Sequence, residues 1–170
     1  MPEPGSSLRE VQAPLKARYR EDPDAALITL HAESSTGDSA LSCSVDVGRA
    51  MYAAGAHAGV GGAGLAACSG DLLLGALAAC AQITCQMVAA AMGVPTERIE
   101  VVVSGDLDLR GTLGISKEVP VGFEAIRVRF EIDAPHATAE QLSALRDKAE
   151  QYCVVMQTLT HPPRIATEWT

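Results

Sequence analysis

Between Cys68 and Gly93 the chain reads CSGDLLLGALAACAQITCQMVAAAMG, and no other stretch limits its fold as tightly. Leu72 to Met92 carries no charged side chain. Ser69 reads as an N-cap, Asp71 sits in a first turn where the helix dipole favours negative charge, and Gly93 with Pro95 ends the run. One helix over Ser69 to Met92 would be roughly 36 Å long at 1.5 Å per residue. A helix so poor in charge must bury nearly its whole surface. The length also suits a bilayer span. Against that stand Asp71 at its mouth, Gln82, Thr84 and Gln86 inside it, and flanks without basic asymmetry. The expectation is a helix buried in protein, with no membrane partner.

The remainder of the chain is globular in character. Of 170 residues, 48% are hydrophobic and 20% charged, which suits one domain with a real core. The net charge of −8 argues against nucleic acid or an anionic membrane as a partner. Residues 1–13 hold no apolar run of signal-peptide type, so a cytoplasmic, reducing compartment is expected. Five cysteines without a CxxC pair favour free or redox-active thiols over a disulfide framework. A metal site built from cysteine with His57 or His161 has poor spacing, so no metal and no cofactor are expected.

In chain order, residues 1–13 read as a flexible lead-in and 14–170 as a single α+β domain. Strands are expected at 15–19, 26–32 and 40–47, separated by turns at 22–25 and 34–38. In the third strand Leu41, Cys43, Val45 and Val47 would face inward, with Ser42, Ser44 and Asp46 outward. A short helix near 49–54 and a Gly-rich loop at 61–64 lead into the long helix. After it, 99–109 and 123–133 alternate as a hairpin flanking a loop at 110–121. In the second strand Ile126, Val128, Phe130 and Ile132 face in. Thr138-Ala-Glu-Gln141 is a capping box that opens a second helix. Leu142, Leu145, Ala149, Cys153 and Met156 share its apolar stripe, Pro162-Pro163 breaks it, and 164–169 closes as a strand. The order is βββ-α-ββ-α-β, an α+β fold with antiparallel sheets.

On a helical wheel Cys80 clusters with Leu73, Leu77, Thr84 and Met87. Asp71, Gly75, Gln82 and Gln86 lie opposite, and Cys85 is rotated by about 140° from Cys80. Cys80 lies three turns into the helix, beyond the reach of the dipole, so activation of its thiol must come from elsewhere, most simply from an arginine. Free cysteine usually packs as a small hydrophobe, which is the plain reading of Cys43, Cys68 and Cys85 and, from spacing alone, of Cys80 and Cys153 as well.

Gly70-Asp-Leu-Leu-Leu-Gly-Ala-Leu-Ala-Ala-Cys80, the helix closing on Ala-Met-Gly-Val-Pro95, the strand pair with Gly122-Phe123, and the helix ending Ala149-Glu-Gln-Tyr-Cys153 together resemble the OsmC/Ohr family. The resemblance covers about residues 40 to 169. It implies an intertwined homodimer with antiparallel sheets wrapped around two long central helices. It implies a peroxidase that reduces organic hydroperoxides to alcohols and is regenerated by an external dithiol. Cys80 would be the peroxide-reacting thiol and Cys153 the resolving thiol, with Leu77, Thr84 and Met87 on the substrate side. An arginine on the early strands would hold the thiolate, with Arg20 first in line, then Arg18 and Arg49. The sequence departs from the family's pattern at Gly70, where active members carry glutamate, and at Val154, where proline normally follows the second cysteine. The competing reading is the same scaffold as a binding module for a small lipophilic ligand, without turnover.

Overall fold

The computed structural model describes residues 8–29, 32–36, 42–46 and 50–169. In order, the elements are α1 (Leu8–Glu21), β1 (Glu33–Thr36), β2 (Ser42–Asp46), β3 (Met51–Gly55), α2 (Ser69–Met92), β4 (Arg98–Asp106), α3 (Leu109–Thr112), β5 (Ala125–Asp133), α4 (Ala139–Tyr152) and α5 (Val154–Thr160). Short 3-10 turns occupy Pro23–Ala26 and Ala58–Val60. Two compact units result, one from 1–72 with 108–122 and the other from 73–107 with 123–170. The α+β class with antiparallel sheets is as expected.

In the first unit β1, β2 and β3 form an antiparallel meander, with Ser35 opposite Ser44 and Ser44 opposite Ala53. A three-stranded meander is expected from the sequence, but it starts one strand later in the chain. The segment 15–19 is helical, inside α1, because Leu-Lys-Ala-Arg belongs to a longer run of good helix formers. That helix continues through Pro14 and across the expected boundary at residue 13. Residues 26–29 are the end of a 3-10 turn and irregular backbone instead of a strand, and 34–36 pair as β1 instead of turning. Met51–Gly55 is a strand in place of the expected short helix, since ladder pairing to β2 overrides the helix preference of its alanines. Leu30, His31, Gly37, Asp38, Ala40, Leu41, Val47 and Arg49 lie outside the described residues, as do the side chains of Cys43 and Val45.

The second unit is built on α2. The helix runs over the expected residues, and its ends show why. Cys68, not Ser69, takes the N-cap position, and the Asp71 carboxylate accepts from the Cys68 N–H at 2.9 Å. Gly93 turns left-handed at φ 68°, Val94 N–H reaches Ala89 O at 2.9 Å and Gly93 N–H reaches Ala90 O at 3.3 Å. That is a Schellman cap, whose left-handed residue favours glycine. Leu77, Ala81, Cys85 and Ala89 form its buried stripe at four-residue spacing.

The stripe meets α4 and the inner face of the β4–β5 hairpin. Val101 opposes Phe130 and Val103 opposes Val128, and all four pack toward the cluster that holds Leu77, Ala81 and Cys153. Leu145 and Ala149 of α4 pack with Cys85, Ala89 and Ile99. Leu77 and Leu145 are fully enclosed, each worth about 1.5–3 kcal/mol of burial. Gln82, polar within an apolar helix, donates from Nε2 to Ile99 O at 2.6 Å and ties α2 to β4. By length and composition α2 would also cross a bilayer.

Burial of α2 is one-sided, which corrects the expectation of an almost wholly buried helix. Leu73, Ile83 and Met87 remain 38%, 55% and 40% exposed. The first hairpin strand ends earlier than expected, with β4 stopping at Asp106, and α3 interrupts the loop at 110–121. Residues 162–169 carry no regular structure, so the expected closing strand at 164–169 is not formed. The capping box is present in full: Thr138 Oγ1 accepts from Gln141 N–H at 3.2 Å, and Gln141 Oε1 accepts from Thr138 N–H at 2.9 Å.

Candidate active site

The second helix does not run unbroken to Pro162, as its apolar stripe predicts. It breaks at Cys153, whose φ of −74° and ψ of 104° are extended. A proline at 154 would force such backbone on the residue before it. Here Val154 follows, and the break is kept. Gln157 holds it together: its N–H bonds to Cys153 O at 2.9 Å, and its side-chain amide donates to Glu150 O at 2.9 Å, capping a carbonyl that the break frees. Nothing in the spacing singles out Gln157.

The break has two effects on sulfur. It turns Cys153 inward, with no solvent exposure, beside Leu77 and Ala81. It also leaves the first N–H groups of α5 without helical partners, as at any helix start. Cys80, half-buried on α2, lies within reach of them. Burial alone pushes the Cys80 thiol up. The Val155 N–H, the Cys153 thiol, the Thr84 hydroxyl and the Val154 N–H oppose this, and together they bring it below the ordinary thiol value. Thr84 Oγ1 stands 3.9 Å from Cys80 Sγ.

Cys153 is displaced the other way. Burial pushes its thiol up, and the Met156 and Val155 N–H groups pull it only partly back. The neighbouring Cys80 sulfur and its negative charge add to the rise. The two thiols are thus displaced in opposite directions, Cys80 below the ordinary thiol value and Cys153 above it. Within this unit the groups that act on the Cys80 thiol are two N–H dipoles, a thiol and a hydroxyl.

Other residues singled out in the sequence fall as follows. Leu77 is enclosed one turn before Cys80, and Met87 lies at the exposed edge of the same face. Leu77 also lines a cavity of about 460 Å³ with Phe123, Ile126, Met156 and Leu159. Arg18 and Arg20 are exposed in the last turn of α1, in the first unit, on a helix and not on a strand. Asp71 does not stand in for the glutamate missing at Gly70: its carboxylate caps α2, and the Cys68 N–H and thiol hold its acid below the usual carboxylate range. Cys85 is enclosed and its thiol is raised by burial, as an inert packing cysteine should be. No grouping of three or more His, Cys, Asp or Glu side chains suited to a metal occurs among the described residues.

A long apolar helix, a hairpin, and two sulfurs brought together at a helix break define an α+β protein with a built dithiol. A family model for OsmC-like proteins matches residues 61–168, and the chain belongs to that family. Solved structures agree on the fold. An OsmC-like protein from Mycoplasma pneumoniae aligns with a TM-score of 0.64 at 16% identity, over 79% of this chain and 89% of that one. An organic hydroperoxide resistance protein OsmC from Legionella pneumophila aligns at 0.60 and 19% identity, over 79% and 91%. An organic hydroperoxide resistance protein from Elizabethkingia anophelis aligns at 0.59 and 21% identity, over 80% and 91%. At these identities the likeness is one of fold. No curated protein sequence matches the chain significantly.

Proposed function

We propose that the protein is a thiol-dependent peroxidase that reduces organic hydroperoxides to alcohols. The observation that carries the reading is the packing of Cys80 against the enclosed Cys153 at the α4–α5 break, where Cys80 is displaced toward thiolate and Cys153 toward thiol. The Cys80 thiolate attacks the terminal oxygen of R–O–O–H. The O–O bond breaks, RO⁻ takes a proton to leave as alcohol, and Cys80 becomes a sulfenic acid. The Cys153 sulfur then displaces hydroxide from that sulfenic acid, the Cys153 proton leaves with it as water, and a Cys80–Cys153 disulfide remains. An external dithiol reduces the disulfide and is itself oxidised. The cytoplasm is the proposed compartment, since the cycle needs reduced thiols.

Apolar neighbours of Cys80 favour alkyl or lipid peroxides over hydrogen peroxide. Leu77, Thr84 and Met87 form the proposed substrate side, and Arg20 is a proposed second anchor of the thiolate. The exposed Leu73, Ile83 and Met87 face of α2 supports a homodimer in which that face is covered.

Reduced protein is treated with one equivalent of cumene hydroperoxide, and the remaining thiols are alkylated and mapped by mass spectrometry. Loss of Cys80 and Cys153 together, joined in one disulfide-linked peptide, is expected. A Cys80 that stays fully alkylatable removes the peroxidase reading. It leaves a binding module, for which the cavity beside Leu77 would be the ligand site.

A further inference from the structure

One carbonyl, Glu150 O, can be claimed by either of two donors, and the choice decides whether α4 and α5 run straight or break at Cys153. In a continuous helix each N–H bonds the carbonyl four residues back, so the Val154 N–H would take Glu150 O. At the break the Val154 N–H bears on Cys80 instead, and the side-chain amide of Gln157 takes Glu150 O at 2.9 Å. The exchange is open only to the broken form. Residues seven apart in a straight helix are separated by roughly 10 Å along the axis, at 1.5 Å per residue. A glutamine side chain does not bridge that gap to a backbone carbonyl, so Gln157 makes this bond only where the chain bends. A bond made in one of two states shifts the balance toward that state. We infer that Gln157 is a positioning residue for the resolving step: its amide holds the α4–α5 break, and the break holds Cys153 against Cys80. The inference rests on the peroxidase reading above.

The consequence falls on the sulfenic acid at Cys80, for which two reactions compete. In one, the Cys153 sulfur attacks the Cys80 sulfur, the S–S bond forms, and hydroxide leaves with the Cys153 proton as water. In the other, a second R–O–O–H gives up its terminal oxygen, the O–O bond breaks, ROH leaves, and Cys80 is oxidised to a sulfinic acid. The first needs only Cys153 in place, whereas the second needs free peroxide and time. Straightening α4 into α5 would take Cys153 from its enclosed position beside Leu77 and Ala81 and return the Val154 N–H to Glu150 O. The share of molecules in the straight form is then the share in which a sulfenic acid waits for a second peroxide. Gln157 keeps that share small. A proline at 154 would do so by another route, since it removes the N–H that competes for Glu150 O and forces extended backbone on Cys153.

The test uses the full chain, reduced, exposed to excess cumene hydroperoxide, quenched with acid, alkylated and digested. Mass spectrometry gives the ratio of the Cys80–Cys153 disulfide to Cys80 sulfinic acid. Gln157→Met keeps the length of the side chain and removes its donor. It should lower the ratio by roughly two- to tenfold, the population change that one neutral hydrogen bond produces. In a Val154→Pro background the same substitution should change the ratio by less than about twofold, because the proline already holds the break. An unchanged ratio in Gln157→Met overturns the inference. So does an equal fall in the two backgrounds, which a merely stabilising Gln157 would give. Urea unfolding is followed alongside. If Gln157→Met does not fold, Gln157→Glu carries the same comparison, since its ionised carboxylate accepts but cannot donate. Failure of both to fold overturns a role confined to the site. A wild-type Cys80 that yields neither disulfide nor sulfinic acid overturns the peroxidase reading and this step with it. A wild-type disulfide whose yield does not respond to Gln157 overturns this step alone.

Discussion

Val154→Pro separates the electrostatics of the site from its packing. The Val154 side chain is 70% exposed, so removing it costs little core. Position 154 is the first residue of α5, where proline's fixed φ suits the helix and its missing N–H breaks no helical bond. Cys153 already has the extended backbone that a following proline demands. One group that bears on the Cys80 thiol is lost, the Val154 N–H. A full hydrogen bond to a charged group is worth about 1.5–3 kcal/mol net. Val154 is the weakest of the four groups that favour the thiolate, so the loss should lie below that range. A loss below that range should raise the Cys80 midpoint by less than about one pH unit.

The assay is alkylation of Cys80 by iodoacetamide across pH, read on its own peptide so that the other cysteines do not contribute. The midpoint should rise, while the denaturant midpoint of the folded chain holds or improves slightly through the stiffer unfolded state. The linkage has a definite sign. A Cys80 pKa lowered by folding contributes stability that is fully present above the ordinary thiol value and is lost as pH falls through the folded value. Val154→Pro should shrink that alkaline contribution. An unchanged or lowered alkylation midpoint in a normally stable variant would refute the claim that α5 backbone dipoles activate the thiol.

Cys153→Ala removes the thiol that donates to Cys80 and should raise the same midpoint, whereas Cys153→Ser keeps a donor and should raise it less. Equal shifts in the two variants would show that only bulk at 153 matters. Leu145→Ala, at a site with no exposure, should cost about 2–5 kcal/mol in urea unfolding. A loss under about 1 kcal/mol, a fifth to a half of that expectation, would mean α4 is not packed on α2. Thr138→Ala should cost about 0.5–2 kcal/mol by breaking the capping box, and Thr138→Ser should recover most of it. For Arg20, the Cys80 midpoint is compared at low and high salt in wild type and Arg20→Ala. A midpoint nearly independent of salt in both is expected, and a strong salt-dependent rise seen only in wild type would transfer the activation to the guanidinium.

What can be read from residues alone divides along physical lines. The interior of α2, the β4–β5 alternation and the Thr138–Gln141 box carry strong local periodicity or side-chain capping, and each is found where those signals put it. Met51–Gly55 escapes a local reading because its alanines favour helix while its pairing with Ser42–Asp46 is non-local. Leu15–Tyr19 misleads because its weak alternation suits a strand, yet it lies inside α1, which runs on through Pro14. The nearness of Cys80 and Cys153 is invisible to spacing, and only the family resemblance suggests it. The break at Cys153 has a faint signal at most, two β-branched valines in succession, and the bond from Gln157 that supports it is conformational.

Two departures from the family's pattern bear on one problem. Gly70 has no side chain that could hold an arginine. With Val154 in place of proline, the chain gains an N–H on the side of the site where the thiolate forms. A guanidinium brings a full charge, but it must be held in place and is screened by salt. Backbone N–H groups at a helix start bring smaller partial charges, yet they are fixed by the fold and need no reorganisation when the thiolate appears. The same short helix has the enclosed Cys153 at its cap, so in the proposed peroxidase cycle the segment that favours the thiolate would also deliver the thiol that resolves it. Activation and resolution are then coupled through one backbone feature. A change that straightens α4 into α5 would withdraw Cys153 and return the Val154 and Val155 N–H groups to helical bonds at once.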